Sequence, residues 1–70
     1  MRYSVVIERA STSYCAYSPD VDGGVPIGDT VEETRRNFAE ALKLHLQGLK
    51  KHGYPIPVPS ATVDYIDVAS

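Results

Sequence analysis

The sequence contains carboxylates of the kind with which nucleases hold paired divalent ions. Such catalysis requires several carboxylates to converge on two metal ions. The candidates lie near strand ends or in loops, and their spacing does not bring them together: Glu8, Asp20, Asp29 and Asp64. We therefore expect no enzymatic activity, no metal site and no cofactor. The hypothesis of a metal-dependent nuclease stays open, and it would require that the protein bind divalent ions.

Histidine and cysteine residues do not form a catalytic or metal-binding pattern either. His45 and His52 are seven residues apart, which on a helix is about 10.5 Å of rise, too far for both to bind one ion. We expect His45 to border the core and His52 to lie at a helix C-terminus, where a cation is favourable. Cys15 has no base beside it in sequence, so a packing role is favoured over a nucleophilic one.

Negative charge is concentrated in the segment that joins a strand-like run to the predicted helix. Turn and capping duties can explain its residue types, because Pro19-Asp20 marks a turn and Thr30 with Glu33 forms a capping box. The charge also suits a basic partner, since complementary charge speeds encounter and adds specificity. We predict that a basic protein contacts the five acidic residues, which no basic residue interrupts: Asp20, Asp22, Asp29, Glu32 and Glu33.

Alternating apolar residues predict the strands. Tyr3, Val5 and Ile7 alternate with other residues over positions 2–9, which indicates a half-buried strand with Val6 on the opposite face. Pro26 cannot donate to a ladder, so the short third strand should lie at an edge or a bulge. The remaining strands are predicted over residues 14–17, 25–27 and 62–68.

A helix is predicted over residues 31–52. Thr30 caps its start, Gly53 stops it, and acidic and basic residues lie at the ends where the helix dipole favours them. Leu44 breaks the apolar pattern by pointing to the polar side. Three alternating prolines in residues 54–60 predict a stiff, extended connector. The predicted apolar stripe of the helix contains Val31, Phe38, Ala41, Leu42, His45, Leu46 and Leu49.

These elements predict an α+β fold with β-β-β-α-β order, formed as a single domain over residues 1–70. The sheet should be mainly antiparallel, with one helix packed on one face and the last strand parallel to the first. The uncovered face must then be polar or meet a partner. A chain of this size buries only about 60% of its unfolded surface, and its one cysteine cannot form an internal disulfide. We therefore expect a homo-oligomer, either a dimer or a tetramer.

Composition narrows the function classes. The net charge of −2 gives no basic face for nucleic acid. No apolar run approaches the roughly 20 residues of a membrane span, and no signal-peptide pattern opens the sequence. We expect a cytoplasmic protein that contacts neither membrane nor, by this chain alone, nucleic acid.

Taken together, the motifs resemble the HicB-type antitoxins of bacterial toxin–antitoxin modules. The resemblance covers residues 3–68 and depends on the order and spacing of many positions rather than on any single one. It implies a partial ribonuclease-H-like fold and a partner, a HicA-like toxin, which is a small basic ribonuclease with a catalytic histidine. The matching residues are Tyr3, Ile7, Tyr14, Ala16, Pro19, Asp20, Gly23, Gly28, Thr30, Glu33, Asn37, Glu40, Ala41, Leu42, His45, Leu46, Gly53, Ile56, Pro57 and Pro59.

The sequence departs from the family pattern at three points. Many members have proline and cysteine around the loop glycine, where this chain has Asp22 and Gly24. Thr34 stands where alanine is frequent. Many members also continue into a DNA-binding module that is absent from these 70 residues. Two hypotheses follow: an antitoxin that masks a HicA-like mRNA-cleaving ribonuclease, or an orphan oligomeric domain with a structural or regulatory role.

Overall fold

The computed structural model describes residues 1–22 and 26–69. Three strands precede one helix, and the helix packs on one face of an antiparallel sheet, as the α+β prediction requires. The elements are β1 (Val6–Arg9), β2 (Tyr14–Tyr17), β3 (Ile27–Gly28) and α1 (Val31–Lys51). None of the described residues forms a helix with the length and apolar character needed to cross a bilayer.

The register of the sheet defines its two faces. The strand order is β1-β2-β3, with Ile7 opposite Ala16 and Tyr14 opposite Gly28. Partners across a ladder share a face, and successive residues alternate between faces. Ile7, Tyr14, Ala16 and Gly28 therefore lie on the side covered by α1, where Ala16 is fully buried. Val6 lies on the opposite face from Ile7, as predicted.

Two loops connect the strands. The β1–β2 turn is closed by a 2.7 Å hydrogen bond from Ala10 N to Ser13 O.

The predicted third strand over residues 25–27 lies partly outside the described residues at Val25, and the observed strand is Ile27–Gly28. Pro26 comes directly before it and contributes only its carbonyl oxygen, which accepts from Ala16 N at 3.2 Å. A proline can take this position because no donor is required of it.

Both ends of α1 are capped at the predicted residues, Thr30 and Gly53, and one of the two bonds of the predicted capping box is observed. Glu33 N donates to Thr30 Oγ1 at 3.0 Å, which satisfies one of the unpaired amides of the first turn. Gly53 has a φ of 74°. Its N–H donates to Lys50 O, and Tyr54 N donates to Leu49 O. This pair of bonds is a Schellman motif, which requires the left-handed conformation that glycine adopts without cost.

The apolar face of α1 differs from the predicted stripe at three positions. Val31, Ala41 and His45 are exposed, so His45 does not border the core. The most buried helical residue is Thr34, whose hydroxyl donates to Thr30 O at 2.7 Å. Thr34 rather than Val31 faces the sheet, so the helix face in contact with the sheet is rotated from the predicted one. Below Thr34, successive turns of that face carry the half-buried residues Phe38, Leu42, Leu46 and Leu49.

The predicted fourth strand is not formed, because residues 62–69 make no ladder in the structure. The chain does return to the sheet: Tyr3 Oη donates to Pro57 O, and Ser4 Oγ donates to Ala61 O at 2.6 Å. The predicted strand therefore begins beside the N-terminal end of β1 and then leaves it. High β-propensity alone does not form a strand, because it depends on packing against cross-strand neighbours.

Candidate protein-binding site

Asp20 binds the connector that follows the helix. One carboxylate oxygen accepts from Ser60 N at 3.0 Å and from Ala61 N at 2.9 Å, and the other accepts from Ser60 Oγ at 3.0 Å. The backbone amides of Ala61 and Ser60, with help from the Ser60 hydroxyl, lower the pKa of Asp20 below its ordinary value of 3.8. These bonds favour the ionised form, so the carboxylate is held as an acceptor.

The other predicted contact residues surround the start of α1 or lie in the preceding loop. Asp22, Asp29 and Glu32 are exposed, and Glu33 is half-buried beside the cap that its own amide forms. Glu32 and Glu33 lie in the first turn, near the positive end of the helix dipole, where each stabilises the helix by a few tenths of a kcal/mol. Glu32 also borders a shallow depression on the helix surface with Arg35 and Arg36.

The sheet separates these acids into two groups. The loop with Asp20 and Asp22 follows the Tyr17 end of β2. Asp29 follows Gly28, which pairs with Tyr14 at the other end of β2. Three residues of strand span about 10 Å, so the two acidic groups lie on different ends of the sheet. Acids that are close in sequence therefore do not form one continuous patch.

The face of the sheet opposite α1 carries apolar side chains that the charge pattern did not reveal. By alternation it presents Val6, Cys15, Tyr17 and Ile27, together with exposed Glu8. Tyr17 is 42% exposed and Ile27 is 63% exposed. Alternation in β1 already indicated Val6, but the participation of Tyr17 and Ile27 depends on the strand register. This open face is the second surface on which a protein partner could bury apolar area.

The residues considered for catalysis are dispersed. Glu8 lies on the open face, Asp20 binds the connector, and Asp64 accepts from the adjacent Tyr65 N at 2.7 Å. Among the described residues, no group of three or more His, Cys, Asp and Glu side chains is placed to hold a metal ion. Cys15 is a free, half-buried thiol. His52 lies near Tyr54, with ring centroids 6.3 Å apart.

Comparison with known proteins identifies the family. Residues 3–69 match the family model of the HicB-like antitoxins of bacterial toxin–antitoxin systems. The match covers all the elements described above, including the capped helix and the connector that Asp20 binds. The chain belongs to the HicB-like antitoxin family.

Individual relatives are found in a phage, an archaeon and a cyanobacterium. A 14.9 kDa protein from the rep–hol intergenic region of Haemophilus phage HP1 is 31% identical over 96% of this chain, which spans only 50% of that relative. A UPF0150 protein of Thermoplasma acidophilum is 32% identical over 87% of this chain and 90% of its own length. A UPF0150 protein of Synechocystis is 34% identical over 79% of this chain and 71% of its own length. No solved structure matches the chain.

Proposed function

We propose that this chain is the antitoxin of a type II toxin–antitoxin module and that it binds and masks a HicA-like, mRNA-cleaving ribonuclease. Membership of the HicB-like antitoxin family is the observation that carries this proposal. The chain acts by binding rather than by catalysis, in the cytoplasm where the toxin meets mRNA. Its working form is a homo-oligomer, either a dimer or a tetramer.

The proposed contact uses acidic side chains on the surface. Asp22, Asp29 and Glu32 are exposed, so a basic toxin can reach them without disturbing the fold. Glu33 is half-buried and contributes from the edge of the same helix end. Asp20 adds negative charge to the loop after β2 that also contains Asp22, but its carboxylate oxygens already accept hydrogen bonds from Ser60 and Ala61. Its role is therefore to hold the loop in shape as well as to attract the partner.

In the proposed complex, the acidic side chains guide the toxin to the surface, and burial of apolar side chains supplies most of the affinity. Exposed charges mainly raise the association rate and are screened over about 8–10 Å at ordinary salt. The exposed Tyr17 and Ile27 on the open face supply the kind of area from which affinity comes. A toxin seated against either end of the sheet would lie next to both kinds of surface.

The experiment uses a catalytically inactive form of the toxin encoded beside this chain. Its binding to variants of this chain with single charge reversals is measured at two salt concentrations. Asp22→Lys and Glu32→Lys test the two ends of the sheet separately. Glu40→Lys, also exposed on α1 but two turns away from Glu32, is the matched control. We expect weaker binding at low salt for one or both test variants, with the difference reduced at high salt, and no change for the control.

The outcomes distinguish the surface from the function. If all three variants bind as the unchanged chain does, the acidic contact is wrong, and Tyr17→Asp then tests the open face. If the unchanged chain neither binds nor neutralises the neighbouring toxin, the antitoxin proposal fails. The orphan oligomeric domain, with a structural or regulatory role, would then be the better description. Its assembly is favoured because Ala16 is the only buried apolar side chain among the described residues.

A further inference from the structure

We propose that residues 62–69 are a donor strand for a second copy of this chain, pairing with the exposed edge of β1 in that copy. The exchange is reciprocal, so two chains related by a two-fold axis each give and receive one strand. The segment and the edge it would join are both visible in the structure.

The segment has the composition of a strand and the exposure of an unpaired one. Five of its first seven residues are β-branched or aromatic, the types enriched in strands. Tyr65 is 89% exposed, Ile66 86% and Val68 81%. Three large apolar side chains exposed within four residues are costly in water, and pairing with a sheet edge would cover them.

The receiving edge is available and complementary in charge. In the sheet order β1-β2-β3, β1 lies at one edge, so one side of its backbone is unpaired among the described strands. Residues 2–9 along this edge carry Arg2 and Arg9 as well as Glu8, whereas residues 62–69 carry Asp64 and Asp67 and no basic residue. A strand added in a register that places its acids opposite the arginines would be stabilised by cross-strand ion pairs.

A second copy, rather than the same chain, is favoured as the acceptor of this strand, because one chain alone buries little apolar side-chain area among its described residues. Among the described residues the only buried apolar side chain is Ala16, and the leucines of the second half of α1 are no more than half-buried. The helix has 21 residues, about 31 Å, whereas β1 and β2 have four residues each, about 13 Å. The helix therefore extends beyond its own sheet, and a second copy would cover the excess.

The point of departure is fixed in place. Asp20 holds Ser60 and Ala61, and Ser4 holds the carbonyl of Ala61. Residues 61–63 border the same shallow depression as residues 2–5, so the segment starts at the β1 side of its own sheet before leaving it. The connector prolines precede this anchor, so the path of residues 62–69 starts from Ser60 and Ala61. Exchange of an identical element between two copies is a low-cost route to a dimer.

The exchange deepens the oligomer of the proposed function but does not depend on a toxin. The experiment therefore uses the full chain alone. Light scattering after size exclusion should give twice the 7.7 kDa mass of the chain. In a mixture of isotope-labelled and unlabelled chains, filtered NOEs should connect residues 62–68 of one chain with residues 6–9 of the other.

Two substitutions at one position give a matched pair. Ile66→Pro removes a strand amide and should weaken dimerisation by roughly tenfold or more. Ile66→Thr keeps a β-branched residue and should retain the dimer. Circular dichroism should show α1 intact in both. The proposal is overturned if the chain is monomeric, if the NOEs are confined within one chain, if Ile66→Pro dimerises normally, or if the segment orders only when a toxin is added.

Discussion

Gly28 and Thr34 are in direct contact where the sheet meets the helix. A Cβ atom added to Gly28 would lie 2.5 Å from Thr34 Oγ1 and 2.6 Å from Thr34 N. Only a residue without a side chain allows β3 and the first turn of α1 to approach this closely. The contact sets the position of the helix start, and with it the positions of Asp29, Glu32 and Glu33.

The first prediction follows from this contact. Gly28→Ala should lower the free energy of unfolding by about 1–3 kcal/mol, because the backbone of Thr34 must move to admit the methyl group. Gly48→Ala is the control, since its added Cβ would meet no atom within 4 Å apart from adjacent residues and the backbone of its own helix. That change should raise stability by roughly 0.5–1 kcal/mol through helix propensity. Urea unfolding measures both, and equal effects would contradict the packing argument.

The second prediction concerns the helix cap. Thr30→Ala should cost about 0.5–2 kcal/mol, because Glu33 N loses its acceptor. This is a large share of the stability of a small domain. Thr12→Ala, in the exposed β1–β2 turn, serves as the control and should leave the urea midpoint close to that of the unchanged chain. A midpoint unaffected by Thr30→Ala would mean that the cap contributes nothing in solution.

The third prediction is a pH dependence at Asp20. Its pKa is lower in the folded chain than in the unfolded chain, because the amides of Ala61 and Ser60 donate to the carboxylate. The contact therefore stabilises the fold above the ordinary carboxyl pKa of 3.8 and loses that effect as pH falls through the lower, folded value. The stability difference between the unchanged chain and Asp20→Asn should shrink over that acid range.

Hydrogen exchange locates the same effect. The amides of Ser60 and Ala61 should exchange faster in Asp20→Asn than in the unchanged chain at neutral pH. The amide of Tyr54, which donates to Leu49 O in the helix cap, should exchange equally in both. A stability difference that stays constant down to strongly acidic pH would show that the carboxylate does not hold the connector.

The fourth prediction tests a buried hydroxyl. Ser18 is buried, and its Oγ atom has no hydrogen-bond partner in the part of the chain that the structure describes. An unsatisfied buried hydroxyl is costly, so Ser18→Ala should raise stability by roughly 1 kcal/mol. Ser4→Ala is the contrast, since Ser4 Oγ donates to Ala61 O, and it should lower stability. A loss of stability in Ser18→Ala would indicate a partner for this hydroxyl in solution.

Local signals in the sequence predicted the elements that depend on local forces. The helix ends follow from Thr30 and Gly53, whose capping bonds join residues a few positions apart. The hairpin of β1 and β2 follows from alternation, although the strand predicted over residues 2–9 is observed only at Val6–Arg9. The helix face was harder to predict, because hydropathy favours Val31 whereas close packing against Gly28 selects Thr34.

Long-range contacts could not be predicted in the same way. The bond from Ala61 to Asp20 joins residues 41 positions apart, and no local pattern links a turn aspartate to a distant backbone amide. The separation of the acids depends on strand register, which shifts with every residue of slippage. Residues 62–68 have the pattern of a strand, but whether they pair depends on cross-strand neighbours that no local pattern specifies.

The contact between Asp20 and residues 60–61 also orders events in time. Closing a loop of about 40 residues carries an entropic cost that the hairpin and the helix do not pay, so this contact should form after both. Ribosomes add roughly 5–20 residues per second, and residues 62–69 emerge only after the hairpin and α1 have been made. A nascent chain therefore completes the β1 edge before residues 62–69, the segment that the proposed exchange would donate, have been made.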